Sequence, residues 1–233
     1  MKIRPALFLL LSCAACSQEK APVEEVAAAA EKIVAPSAQP TPLANGPWAP
    51  QDTCTKVEGA AEFRQRLGAA VEARDAGALV ALAADDVRLD FGGGAGKAEL
   101  RARLDDEALG LWDELVALME LGCSANKQGG ITIPWYFDQD LGNVDPFEAM
   151  IVTGEEVPVL ERADAASRPV ARISWDLVSL AAPVTDEAFQ QVELADGTTG
   201  FVASDRLRSV VDYRLIASSR NGRWRITSFV AGD

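Results

Sequence analysis

The chain has 233 residues, 48% hydrophobic and 24% charged, enough to bury a sizeable core in one or two domains. Its formal net charge of -13 sets aside nucleic acid and anionic lipid as partners for the molecule as a whole. Histidine is absent, which removes the side chain most used as a general base near neutral pH and the commonest metal ligand.

Residues 1–16 read as an export signal. Lys2 and Arg4 precede an apolar run from Ala6 to Leu11, and Ala14 and Ala15 stand before Cys16. The run is too short to cross a bilayer. This segment resembles a bacterial lipoprotein signal, in which the cysteine after the cleavage site carries lipid. The resemblance implies Cys16 as the lipidation site, with Cys13 as the alternative; Ser17 after it implies the outer membrane. The expected location is the cell envelope, on the periplasmic side of the outer membrane, with the membrane reached through the N-terminal lipid. An ordinary signal peptide with incidental cysteines is the plainer alternative.

Residues 17–50 turn to Ala, Pro, Glu and Gln, a composition that buries too little apolar surface to order itself, and read as a disordered tether. Beyond it only Cys54 and Cys123 carry thiols. In an oxidising compartment an even pair is expected to be bridged, the alternative being two small buried thiols.

Residues 51–153 read as a mainly helical domain. Phe63, Leu67, Ala70 and Val71 fall at helical spacing, Asp75 is placed to cap a second helix, and Val87, Leu89 and Phe91 alternate as a strand. Gly92 to Gly96 form a loop before a third helix. A fourth follows Asp105 or Asp106, with Leu109, Trp112, Leu115, Val116 and Met119 as its predicted buried face and Gly122 as its end. The run FRQRLGAAVEARDAGALVALAADDVRLDFGGGAGKAELRARL resembles the opening of the SnoaL-like, or nuclear-transport-factor-two-like, family. That resemblance implies a pocket for a small molecule, in a binder or an enzyme. Leu111 to Met119 departs from it, being helical where the family continues into a curved sheet.

Ile131 to Phe137 is predicted as a short strand with Pro134 at an edge or bulge, and Ala149 to Thr153 as another. Residues 154–209 then alternate as a small all-β unit. Its surest piece is the hairpin FQQVELADGTTGFVASDRL, in which Asp196-Gly197 supplies a two-residue turn. This stretch resembles the bacterial Src-homology-3 family, which implies a binding module; Leu160 replaces that family's arginine, and Trp175-Asp176 stand where it has glycine. Residues 210–233 form a last hairpin turning at Asn221-Gly222. Its Trp224 strand resembles the closing strands of the SnoaL-like family, so it either belongs to the barrel or completes a sheet with the helical half. The expected fold class is α+β: a helical N-terminal domain, a small Src-homology-3-like β-barrel and a C-terminal β-hairpin.

Chemistry is sparse. FGGGAGKA fails as a phosphate loop, because Phe91 stands where the first glycine is needed and Ala98 where the magnesium-binding hydroxyl belongs. Asp138, Asp140, Asn143 and Asp145 lack the spacing of a calcium loop. The cysteines have no imidazole partner, and the pairs Asp85-Asp86 and Asp105-Asp106 sit where caps and strand entries are expected. No catalytic residue, metal or cofactor is assigned. Arg206, Arg208, Arg214, Arg220, Arg223 and Arg225 reverse the local sign of an acidic chain. The candidate ligand surface is Arg214, Arg220, Arg223 and Arg225, with Trp135, Tyr136 and Trp175 as aromatic walls. The expected function is a non-catalytic, exported lipoprotein that binds a cell-envelope component, either peptidoglycan or a partner protein. The alternatives are a SnoaL-like small-molecule binder or enzyme, and a purely structural envelope protein.

Overall fold

A computed structural model describes residues 44–232. Cys13, Cys16 and most of the expected tether lie outside the described residues. The fold is α+β. Four α-helices occur among the described residues: α1 (Ala60–Glu72), α2 (Ala76–Leu82), α3 (Lys97–Asp105) and α4 (Leu111–Met119). They accompany two sheets. In chain order the strands are β1 (Ala83–Arg88), β2 (Ser124–Ala125), β3 (Ile131–Ile133), β4 (Ala149–Val152), β5 (Val157–Leu160), β6 (Pro169–Ile173), β7 (Asp176–Leu180), β8 (Phe189–Glu193), β9 (Thr199–Ala203), β10 (Leu207–Ser209), β11 (Arg214–Arg220) and β12 (Arg223–Val230).

The final hairpin completes a sheet with the helical half. Its first sheet runs β1-β12-β11-β3-β2, with β12 parallel to β1 and antiparallel to β11. Asn221 and Gly222 both take positive φ, 53° and 73°, the geometry a two-residue turn of this hand requires. One face of this sheet is covered by the helices. Phe63 of α1 stacks on Trp224 of β12 at 5.6 Å between ring centroids, and the Trp224 indole donates to the Glu58 carbonyl at 3.1 Å. Leu67, Leu79, Leu100, Leu115, Leu118, Leu215 and Ile226 fill the space between.

The second sheet runs β10-β4-β7-β8-β9-β5-β6. It begins at Ala149, upstream of the boundary expected at residue 154, because β4 pairs with both β7 and β10. The pairing is linear: among the described residues the terminal strands β10 and β6 do not join, and β5 meets β9 at one residue pair, Leu160 with Phe201. The expected closed barrel is therefore an open sheet. Its apolar layer, Met150, Val152, Val157, Val159, Val178, Val192 and Val202, is separate from the main core. Ala149 and Ile151 instead join the main core. Successive strand residues point to opposite faces, so β4 is the wall shared by both cores, and its AMIV sequence is apolar throughout for that reason.

Several expected elements differ in detail. The fourth helix starts after Gly110, which holds φ 60°, and Glu107–Leu109 is a separate 3-10 turn capped by Asp106. Shifting the start rotates the buried face to Leu111, Leu115 and Leu118, leaving Leu109 and Val116 at 48% and 41% exposure. β1 ends at Arg88, and Phe91 is 47% exposed. β3 stops at Ile133; Trp135–Asp138 then form a 3-10 turn instead of continuing the strand. Asp75 does cap α2, accepting from the Ala78 amide at 3.0 Å.

The segment expected to remain part of the tether up to residue 50 is docked at its end. Trp48 packs edge-on against Trp135 at 6.4 Å, and its amide donates to the Trp175 carbonyl at 2.8 Å. Cys54 and Cys123 form a disulfide with their Cα atoms 5.7 Å apart. Backbone bonds reinforce it on both sides, Cys123 N–H to Gln51 O and Thr53 N–H to Cys123 O. A Cβ on Gly122 would stand 2.3 Å from the Gln51 carbonyl, so only glycine permits this approach.

Candidate functional site: the outer face of the first sheet

Alternation puts the side chains that do not face the helices on an outer, solvent face. There Arg220 and Arg223, the closing residues of the β11–β12 hairpin, lie directly opposite each other. Arg225 follows on the same strand, and Arg88 comes from β1. With Asp86, Ser218, Thr227 and Ser228 they line a groove of about 320 Å³. Four guanidinium groups thus meet one carboxylate. Arg88, Arg220 and Arg223 have no ion-pair partner among the described residues, and Arg225 donates to the Trp224 carbonyl at 2.8 Å. Like charges opposed across strands cost stability; here they stand together on an acidic chain.

Asp85, beside this groove, does not belong to it. Lys97 Nζ bonds its carboxylate at 2.6 Å, and that bond holds its pKa below the ordinary carboxylate value.

A second groove, of about 600 Å³, opens on the same face beside β2 and β3. It is lined by Gln51, Thr132, Gln128, Phe137, Gln139 and Ile216, among others. One cross-strand row connects the two. Ser124 opposes Thr132, Thr132 opposes Ile216, Ile216 opposes Ser228, and Ser228 opposes Arg88. Residues directly opposite in register share a face. The first three line the second groove and the last two the first.

A ladder of cations and rings runs along the rim. The Arg88 guanidinium carbon lies 6.0 Å from the Phe91 centroid, Arg214 lies 5.5 Å from Phe91, and Arg214 lies 4.5 Å from Phe137. Arg214 is 7% exposed and donates to the carbonyls of Val211 and Gly232. Of the four arginines expected to form a ligand surface, Arg220, Arg223 and Arg225 are brought together, whereas Arg214 is buried behind the rim as a support.

The expected aromatic walls divide similarly. Trp135 is a core residue with one edge on the second groove. Tyr136 is 2% exposed; burial pushes its phenol well above the ordinary range, and its oxygen accepts from Arg208 Nε at 3.0 Å. Arg208 of β10 also bonds Glu114 of α4, clamping the second sheet to the helices. Trp175 takes a left-handed φ of 43° between β6 and β7 and packs on the main core. It lines neither groove.

The glycine loop has an anion of its own. Asp90 accepts from the amides of Gly92 at 2.8 Å and Gly94 at 2.7 Å, and from Arg103. The Arg103 bond leads the factors that lower its pKa. A Cβ on Gly94 would fall on that carboxylate. Asp140 and Asp145 likewise accept from nearby backbone amides, those of Gly142 and Phe147. Asp52, Cys54 and Cys123 are the one group of three metal-type side chains within mutual reach among the described residues; its thiols are spent in the disulfide.

Sequence reasoning did not place Arg88, Ser218 or Thr227 in the site, and took Asp86 as half of a paired carboxylate and not as a neighbour of the arginines. The signal available for Arg88 was its alternation with buried Val87. Its neighbour across the sheet was not readable.

No protein family and no curated protein matches the chain. Among solved structures, it is similar to an NTF2-like protein with a cystatin-like fold from Novosphingobium aromaticivorans, at 16% identity over 72% of this chain and 75% of that one, with a TM-score of 0.25. A likeness of that extent transfers no site.

Proposed function

We propose that the protein is an exported, lipid-anchored, non-catalytic binding module of the cell envelope, and that the arginine groove of the first sheet is its ligand contact. The signal-like N-terminus and Cys16 supply the address. One observation carries the ligand site: Arg88, Arg220 and Arg223 share a groove and have no ion-pair partner among the described residues, on a chain of net charge -13. Exposed charges of one sign held together in a concave surface attract an anionic partner. Peptidoglycan, whose peptides bear carboxylates, is the favoured component.

The second sheet fits the role of a scaffold. The purely structural reading is favoured for this half alone, since Ala149, Ile151, Trp175 and Leu177 pack into the main core. Retention of the purified, delipidated protein on sacculi at low salt tests the proposal. Arg220→Glu with Arg223→Glu is expected to abolish retention, and no retention of the wild-type protein overturns the peptidoglycan reading.

A further inference from the structure

Resting on that reading of the arginine groove, we infer that the two grooves form one cleft for an acidic oligosaccharide, its carboxylates in the arginine groove and its hydroxyl- and amide-bearing rings in the groove beside β2 and β3.

Continuity is the first argument. The row from Ser124 to Arg88 crosses all five strands on one face, so a ligand seated on Ile216 and Ser228 touches both grooves. The arginine end supplies planar forks that match carboxylates. The other end supplies Gln51 and Gln128, whose amides both donate and accept and so suit hydroxyl and acetamido groups, with Gln139 beside them donating to the Trp135 carbonyl. Phe137 offers an aromatic surface there, its ring stacked by Arg214. Position argues against a protein segment docked as a strand or a helix. Strand addition requires a free sheet edge, and both grooves lie on the face, with β1 and β2 at the edges. Helix docking requires a continuous apolar groove, whereas most of the residues lining the two grooves are polar, with Phe137 and Ile216 the chief apolar side chains outside the core.

Titration calorimetry of the purified full chain tests this with four soluble probes: tetragalacturonate, digalacturonate, neutral tetra-N-acetylchitotetraose and tetraglutamate. The expected order is tetragalacturonate tightest. Arg220→Ala with Arg223→Ala weakens both uronates by about tenfold or more, the loss expected for a charge-assisted hydrogen bond. Gln128→Ala, at an exposed position, and Ile216→Trp, which blocks the join, weaken tetragalacturonate and leave digalacturonate unchanged. Tetraglutamate binding as tightly as tetragalacturonate overturns the sugar assignment in favour of an acidic peptide. Equal affinity for the two uronates overturns the continuous cleft. Sacculus retention without tetragalacturonate binding overturns this inference alone; tetragalacturonate binding without sacculus retention overturns the envelope ligand and leaves the cleft standing.

Discussion

The guanidinium carbon of Arg214 lies 4.5 Å from the centroid of Phe137, and this contact is the central rung of a ladder joining two grooves. Arg214 comes from β11 and Phe137 from the 3-10 turn after β3, while Phe91 comes from the loop after β1. One buried cation therefore fixes segments from three parts of the chain. Of the groove arginines only Arg88 also meets one of these rings, Phe91 at 6.0 Å, while Arg220 and Arg223 take no part in the ladder.

Arg214→Ala removes donors from the Val211 and Gly232 carbonyls and a cation from two rings. The expected loss is about 1–2 kcal/mol, that of the lost hydrogen bonds and ring contacts, since the Val211 carbonyl keeps the Gly232 amide as a donor. Urea denaturation measures it, and faster proteolysis near Phe91 should accompany it.

Glu114→Ala removes the α4 carboxylate from the partly buried Arg208 guanidinium and leaves it Asp212 at 3.6 Å. The loss is expected at about 1–3 kcal/mol, below that for stranding a fully buried charge, and replacing both partners by apolar residues costs less. Comparing Glu114→Ala with the double variant Arg208→Met, Glu114→Leu should show the double variant to be the more stable of the two.

Reduction of Cys54–Cys123, which are 69 residues apart, releases the chain entering at Gln51 from the end of α4. On chain entropy, closing such a loop stabilises by about 4 kcal/mol. Cys54→Ser with Cys123→Ser should lower the urea midpoint accordingly, without displacing the ligand groove.

Both tyrosines of the chain, Tyr136 and Tyr213, have phenols raised above their ordinary value by burial. A raised pKa means that the unfolded chain gives up its phenolic protons first. The associated stability is fully present below the ordinary value of about 10 and is lost as pH climbs through the folded values. Alkaline titration should therefore show phenolate absorbance delayed in the native protein and immediate once urea is added. Tyr136→Phe should flatten the alkaline fall in stability.

Local chemistry was legible in the sequence where a turn or cap decided it. Asn221-Gly222 turns as its residue types require, with positive φ at both residues, and Asp75 caps α2; the β8–β9 hairpin, expected to turn on Asp196-Gly197 alone, instead turns over three residues, Ala195 to Gly197, with the Gly197 amide donating to the Leu194 carbonyl and positive φ at Gly197 only. The cysteine pairing followed from parity and from the oxidising compartment that the signal-like N-terminus implies. Long-range pairing was not legible. Alternation tells which face a side chain takes, but not which strand it will neighbour, so the parallel contact of β1 with β12 could not place Arg88 beside Arg220 and Arg223. The same limit applies to β4, whose unbroken apolar run is equally good as a buried strand of either half. Arg214 shows a further limit: its type and position match those of the groove arginines, and only the rings packed over it make it a support.

The central claim is that the Arg88, Arg220, Arg223 and Arg225 groove holds an envelope component. Its most direct test is co-sedimentation with sacculi of three delipidated proteins: wild type, Arg220→Glu with Arg223→Glu, and Arg162→Glu with Arg172→Glu, an equal charge change on the second sheet. Wild type and the second-sheet variant should sediment, the groove variant should stay in solution, and retention should fall as salt is raised. Equal loss in both variants, or equal retention of all three, would contradict the claim.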